Sequence, residues 1–285
     1  MSSKYCNYFC GRKKFLYHIV CSMYSVFLKE NTAMQNSFFS GTHERNFFFS
    51  LAIVFSLFSV CFLSFGICVE TPELSLQLDE RLGSVVSIRD IKNNHDHIAS
   101  RNASALWLIC FNDASGSPVS PADAQEFSWH YTSQSPEALQ LTWKNFRQEH
   151  LRGISVHVTV AATDALTTLW NMNIKGLENT VPTAIHFPRI SPIAKQPDEV
   201  LAVPYWIGEK TTQHREMLAN TGRLEWTYPG ILSMQCITLY SEQGPGIYLA
   251  ADDIQARSKS FAAFYDAPDN TGIEICHYPN INDIQ

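Results

Sequence analysis

The residues in this chain with the types needed for chemistry are a few acids, histidines and aromatics, most of them in its second half. Glycoside hydrolysis requires two carboxyl groups across the scissile bond, one acting as acid and the other as base or nucleophile. Glu225, Asp252 and Asp253 are the candidates. Asp252 and Asp253 follow the apolar run IYLAA and precede IQAR, which is the composition of a hairpin turn with Asp accepting local backbone hydrogens. Opening a sugar ring by proton transfer instead needs a histidine acid and a carboxylate base in one cleft. His186, His214 and Glu225 supply those types, but no motif spacing joins them, and ten histidines make chance pairing easy. Asn93-Asn94-His95-Asp96-His97 places two imidazoles on one side of an extended strand. No third ligand follows at metal-site spacing, so no catalytic residue, metal or cofactor is expected.

The aromatics carry a more specific expectation. Sugar rings present C–H faces that stack on aromatic planes, and their hydroxyls need planar polar partners. Trp206, Trp226, Tyr228 and Tyr248 offer the planes, and Arg189, Arg215, Glu225 and Gln235 offer the partners. The expected carbohydrate site is Trp206, Arg215, Glu225, Trp226 and Tyr228. The competing reading is that these Trp and Tyr side chains pack the sheets. Arg257 and Lys259 read as decoration of a turn.

Strands must position such a site. From Leu74 the pattern has period two, and Leu74, Leu76 and Leu78 turn through Arg81-Leu82-Gly83 into Val85, Val86 and Ile88, a hairpin. Further strands are expected over residues 105–111, 126–131, 139–143, 154–161, 167–174, 231–240, 246–251 and 260–266. Short helical turns are expected at 121–127 and 198–203, and no segment sustains a helical apolar stripe. Residues 182–221 are broken by Pro182, Pro188, Pro192, Pro197 and Pro204 and read as a long, irregular loop region, where ligands are often met. Many short strands with turn residues between them give an all-β fold of packed antiparallel sheets, with no internal repeat.

Composition fits a folded domain: of 285 residues, 45% are hydrophobic and 17% charged. The formal net charge is -6, without a run of Lys and Arg in the globular part able to track a phosphate backbone, which argues against nucleic acid. Of eight cysteines, Cys110, Cys236 and Cys276 fall clearly in the folded region, and a disulfide framework is not indicated. Phe47 to Val69 is an uncharged apolar run. It is long enough to span a bilayer, and its place ahead of a polar domain also suits a signal peptide. Cleavage after Gly66 or Cys68 and an uncleaved membrane anchor both stay open, and both export the remainder to a periplasmic, secreted or cell-surface location. The expected organisation is residues 1–46 as an extension, within which Met34 offers an alternative start, then 47–69 as signal or anchor helix, then 72–285 as the β domain.

Six segments carry a family resemblance. TTLWNMNIKG (Thr167 to Gly176), AIHFPRI (Ala184 to Ile190) and EVLAVPYWIGE (Glu199 to Glu209) precede WTYPGILSMQCITLY (Trp226 to Tyr240), GIYLAADD (Gly246 to Asp253) and ARSKSFAAF (Ala256 to Phe264). In order and spacing they resemble uncharacterised bacterial proteins of a DUF6259-type family, over roughly residues 72 to 280. The resemblance implies a galactose-mutarotase-like β-supersandwich placed ahead of a (β/α)-barrel of glycoside-hydrolase type. It implies a non-catalytic, carbohydrate-associated module whose partners are an oligosaccharide or polysaccharide and a barrel encoded downstream. A free-standing sugar mutarotase or epimerase and a structural extracellular domain are the alternatives. The family's hydrolytic carboxylates belong to its barrel strands, which lie outside this sequence, so none is carried over.

The apolar run supplies the first test: fused to a reporter active only outside the cytoplasm, residues 34–80 should direct activity, because an uncharged segment of this length is unstable in water. A soluble, inactive cytoplasmic fusion would remove the export expectation.

Overall fold

Period-two patterning leaves each strand one apolar and one polar side, and the apolar sides must meet. The computed structural model describes residues 67–99, 104–112, 117–132, 138–177, 180–267 and 270–279, all within the unit Gly66–Gln285. In chain order the strands are β1 (Ile67–Glu70), β2 (Leu74–Leu78), β3 (Val85–Asp90), β4 (His95–Asp96), β5 (Leu108–Phe111), β6 (Ala124–Tyr131), β7 (Ala138–Phe146), β8 (Ser155–Ala162), β9 (Thr168–Lys175), β10 (Pro182–Ala194), β11 (Glu199–Val203), β12 (Glu209–Thr211), β13 (Arg223–Tyr228), β14 (Cys236–Ser241), β15 (Gly246–Ala250), β16 (Lys259–Ala267) and β17 (Asn270–His277). One α-helix among the described residues, α1 (His214–Thr221), separates β12 from β13. The fold is all-β.

Four antiparallel sheets result, ordered β1-β2-β3-β4, β6-β7-β8-β9, β12-β11-β14-β15 and β13-β16-β17-β10-β5. Register shows how the core is filled. Leu139, Leu141 and Trp143 of β7 stand opposite Val160, Val158 and Val156 of β8, and all six are buried. In the five-stranded sheet, Phe261 of β16 is flanked by Trp226 and Ile275 on the core side. Trp107 meets Trp143 edge to face at 5.6 Å, and Trp143 Nε1 donates to Leu82 O at 3.0 Å. That is the arrangement in which a buried indole keeps its hydrogen bond.

Several strands depart from the sequence expectations, each for a visible reason. The apolar run ends inside the fold: Ile67 and Val69 of β1 are buried and pair with Leu78 and Leu76 of β2. The folded unit therefore includes residues ahead of 72. The expected signal or anchor otherwise lies outside the described residues, among which no helix is long and apolar enough to cross a membrane. Residues 182–221, expected to be irregular, contain β10, β11, β12 and α1. β10 is an inner strand despite Pro188 and Pro192, because both prolines coincide with register shifts that free them from the ladder. The helical turn expected at 198–203 is instead β11, an inner strand with Leu201 against Leu239. At 121–127 only Pro121–Asp123 forms a 3-10 turn before β6 begins. α1 ends where Gly222 takes φ 75° and donates to Leu218 O at 2.7 Å, a left-handed cap that favours glycine.

Because Ile67 is fully buried, Ile67→Ala should lower the unfolding free energy by about 2 to 5 kcal/mol, read from a urea titration. An unchanged midpoint would place β1 outside the cooperative unit.

Candidate functional site

β13 has Leu224, Trp226 and Tyr228 on one side and Arg223, Glu225 and Thr227 on the other, since successive strand residues alternate faces. The first set packs against the core. The second set belongs to the opposite face of the five-stranded sheet, which pairing extends sideways. Glu225 lies opposite Ala262, Ala262 opposite Glu274, and Glu274 opposite Arg189. In the next row Ser260 lies opposite Cys276 and Cys276 opposite His186. His186 and Arg189 are three residues apart and would occupy opposite faces of a regular strand, but the register shift between them brings both to the polar face.

Glu274 is the hub of this face, with its side chain only 1% exposed. Its Oε1 accepts from His186 Nδ1 at 2.6 Å and from Arg223 Nη1 at 2.6 Å, and its Oε2 from Arg189 Nε at 2.5 Å. Arg223 Nε donates to Glu225 Oε2 at 2.6 Å, so one guanidinium ties the two carboxylates together. Glu225 Oε1 also accepts from Ser260 Oγ and, at 2.9 Å, from Tyr278 OH. Cys276 Sγ lies 3.8 Å from His186 Nε2. Arg189 is further fixed by its guanidinium carbon lying 4.6 Å from the centre of the Phe264 ring. A Cβ at Gly272 would come within 2.1 Å of that ring, so any larger residue there would have to displace it.

The network sets the ionisation of its members. Burial alone would raise the Glu274 carboxyl, but the His186 hydrogen bond and the Arg189 and Arg223 charges outweigh it and hold it at about 2. His186 is pushed up to about 10 by Cys276 and then Glu274, against its own burial. Burial also works against ionised Glu225, whereas Ser260, Arg223 and Tyr278 bring it below the usual carboxylate range. At neutral pH this face therefore presents carboxylates as acceptors and guanidinium and imidazolium groups as donors. None of the three groups is poised near pH 7, as an efficient proton-transfer catalyst would be.

The structure distributes the expected site residues over several places. Glu225 lies on the polar face. Trp226 and Tyr228 lie on the core side of the same strand, so Glu225 and Trp226 cannot line one surface. Trp206 is 70% exposed in the loop after β11, and its N–H donates to Ile231 O near the end of β13. Arg215 is held in a separate cluster: its Nε and Nη2 donate to Glu199 Oε2 and Oε1 at 2.5 and 2.9 Å, beside His214 Nε2 at 2.9 Å from Oε2. Tyr248 is exposed on β15. Asp253 accepts from Gln255 N, Arg257 N and Lys259 Nζ. Lys259, expected at a turn surface, is buried, with Gln235 Oε1 as a second acceptor. His95 and His97 stand 4.7 Å apart, ring to ring.

Glu274, Arg223, Ser260, Cys276 and Tyr278 were not singled out in the sequence. A signal existed for Glu274: a lone acid within Ile273-Glu274-Ile275-Cys276, in a strand with no other charge, is where a paired buried carboxylate belongs.

No family model matches the chain, and no curated protein matches it. Among solved structures, a galactose mutarotase-like protein from Lactobacillus casei is similar, with 14% identity and a TM-score of 0.47 over 74% of this chain and 87% of that one.

Removing one partner from a buried ion cluster leaves the other charges uncompensated, so Glu274→Gln should cost about 3 to 5 kcal/mol of stability. Glu274 lies below its ordinary 4.5, so its contribution is present above that pH and is lost as pH falls toward 2. His186 lies above its ordinary 6.5, so its contribution is present below that pH and fades as pH rises toward 10. The stability gap between wild type and Glu274→Gln in urea should therefore be widest between pH 4.5 and 6.5. A gap independent of pH would disprove the ionised hub.

Proposed function

We propose that this protein is a carbohydrate-associated, galactose-mutarotase-like β-supersandwich of the DUF6259 type, exported, which binds saccharide on the polar face of its five-stranded sheet without turning it over. The observation that carries this reading is the bridge made by Arg223 between Glu225 and buried Glu274. Sugar hydroxyls are recognised by planar, pre-oriented donors and acceptors, and a guanidinium fixed by two carboxylates costs little further ordering when a ligand arrives. The ionisation states described above suit recognition better than proton transfer. The Trp206 loop beside the end of β13 adds a solvent-facing aromatic plane of the kind on which sugar rings stack.

A glycan panel titrated by NMR against the full chain tests this. At least one oligosaccharide should bind with a dissociation constant in the millimolar to high-micromolar range, roughly -4 to -6 kcal/mol. Arg223→Gln should weaken it about tenfold, and Trp206→Ala several-fold without a change in thermal stability. Hydrolysis of aryl glycosides, or mutarotation that disappears in Glu225→Gln, would overturn the non-catalytic part. A panel with no binding, together with unfolding of Trp206→Ala, would leave a structural domain.

A further inference from the structure

The polar face holds guanidinium N–H groups that its own acids do not engage. Arg189, Arg223 and His186 meet the carboxylates of Glu274 and Glu225. Glu274 is enclosed by its three partners, whereas the side chains of Arg189 and Arg223 remain 15% and 32% exposed. Arg189 engages Glu274 through Nε alone, and Arg223 uses Nε and Nη1. Both terminal nitrogens of Arg189 and Nη2 of Arg223 have no partner among the described residues. The Arg189 guanidinium is nonetheless immobilised, by Glu274 on one edge and by the Phe264 ring on its face. A fixed fork with free terminal N–H groups matches the planar, two-oxygen geometry of a carboxylate.

We propose, building on the carbohydrate reading of this face, that its ligand is an acidic saccharide, a uronic-acid oligosaccharide whose ring carboxylate is received by the free guanidinium nitrogens of Arg189 and Arg223. A neutral hydroxyl meets these nitrogens one at a time, whereas a carboxylate accepts from two at once in charge-assisted hydrogen bonds, which are roughly twice as strong as neutral ones. Glu225, the half-exposed acid of the face, already accepts from Arg223, Ser260 and Tyr278. It repels a second carboxylate at close range and so directs the anionic group toward Arg189, leaving hydroxyls for the Glu225 side. Asp266, further along β16, accepts from Ser104 Oγ at 3.1 Å. The protein as a whole is acidic, at -6, so an anion preference would reflect this local arrangement and not the overall field.

The test titrates the full chain with galacturonate, glucuronate and mannuronate oligosaccharides, each beside its methyl ester, which keeps the ring and removes the charge. At least one acid should bind about tenfold more tightly than its ester, with the gap narrowing at high salt if partly exposed charges carry it. Arg189→Lys keeps the charge but loses the fork, and should abolish the preference while the protein remains folded by circular dichroism. Should that variant unfold, Glu225→Gln leaves the Glu274 hub in place and should raise the acid-to-ester affinity ratio. Equal binding of acid and ester would overturn the acidic ligand and leave the carbohydrate reading standing. A preference that survives in Arg189→Lys and Arg223→Lys would place the carboxylate elsewhere and equally overturn the assignment. No binding by any acid, ester or neutral glycan would remove both.

Discussion

Taking the Glu274 carboxylate out of water is expensive, by several kcal/mol, unless opposite charge and hydrogen bonds replace its hydration. Here the replacement comes from both sides of β17. Arg189 and His186 arrive from the adjacent strand β10. Arg223 reaches across β16 from the edge strand β13, over a row in which Ala262 is the intervening residue. A larger side chain at Ala262 would stand in that path. One carboxylate thus ties β13 to β17 and β10, strands to which the backbone ladder joins β13 only through β16.

Stability and the proposed recognition therefore rest on the same residues of this sheet. Its core side is an apolar layer of Phe261, Ala263, Ile273 and Ile275, and its other side is the ion network. Because the two sides alternate along the same strands, a register slip of one residue would bury the charges and expose the core. The arginines proposed to meet a ligand are the same ones that ion-pair with Glu274. A change there would alter both, whereas Trp206 stands exposed in a loop.

β10 shows how local irregularity builds a site. In a uniform strand His186 and Arg189 would diverge. The register shift at Phe187 and Pro188 adds the residue that places both opposite successive same-face positions of β17, Cys276 and Glu274. The prolines that made this stretch look like a loop are compatible with an inner strand because they sit where the ladder is already interrupted.

The sequence by itself determined the class of the fold: alternation over Leu74 to Leu78, residues 139–143 and 154–161 and Ser260 to Asp266 marks strands whose apolar residues must share a core, since that signal is local and period two has one structural reading. It also contained the division of β13, for Glu225 and Trp226 are adjacent and must face opposite ways, although a site uniting them was expected. β1, β11, α1 and the continuity of β10 were hidden, because an apolar run, a short turn-like segment and a proline-rich stretch each acquire their form only from a neighbour. The site itself was decided by tertiary structure alone. His186, Arg189, Arg223, Glu225 and Glu274 are separated by up to 88 residues, and only the strand order β13-β16-β17-β10 brings their charges to hydrogen-bonding distance, an outcome of long-range pairing that no local pattern encodes.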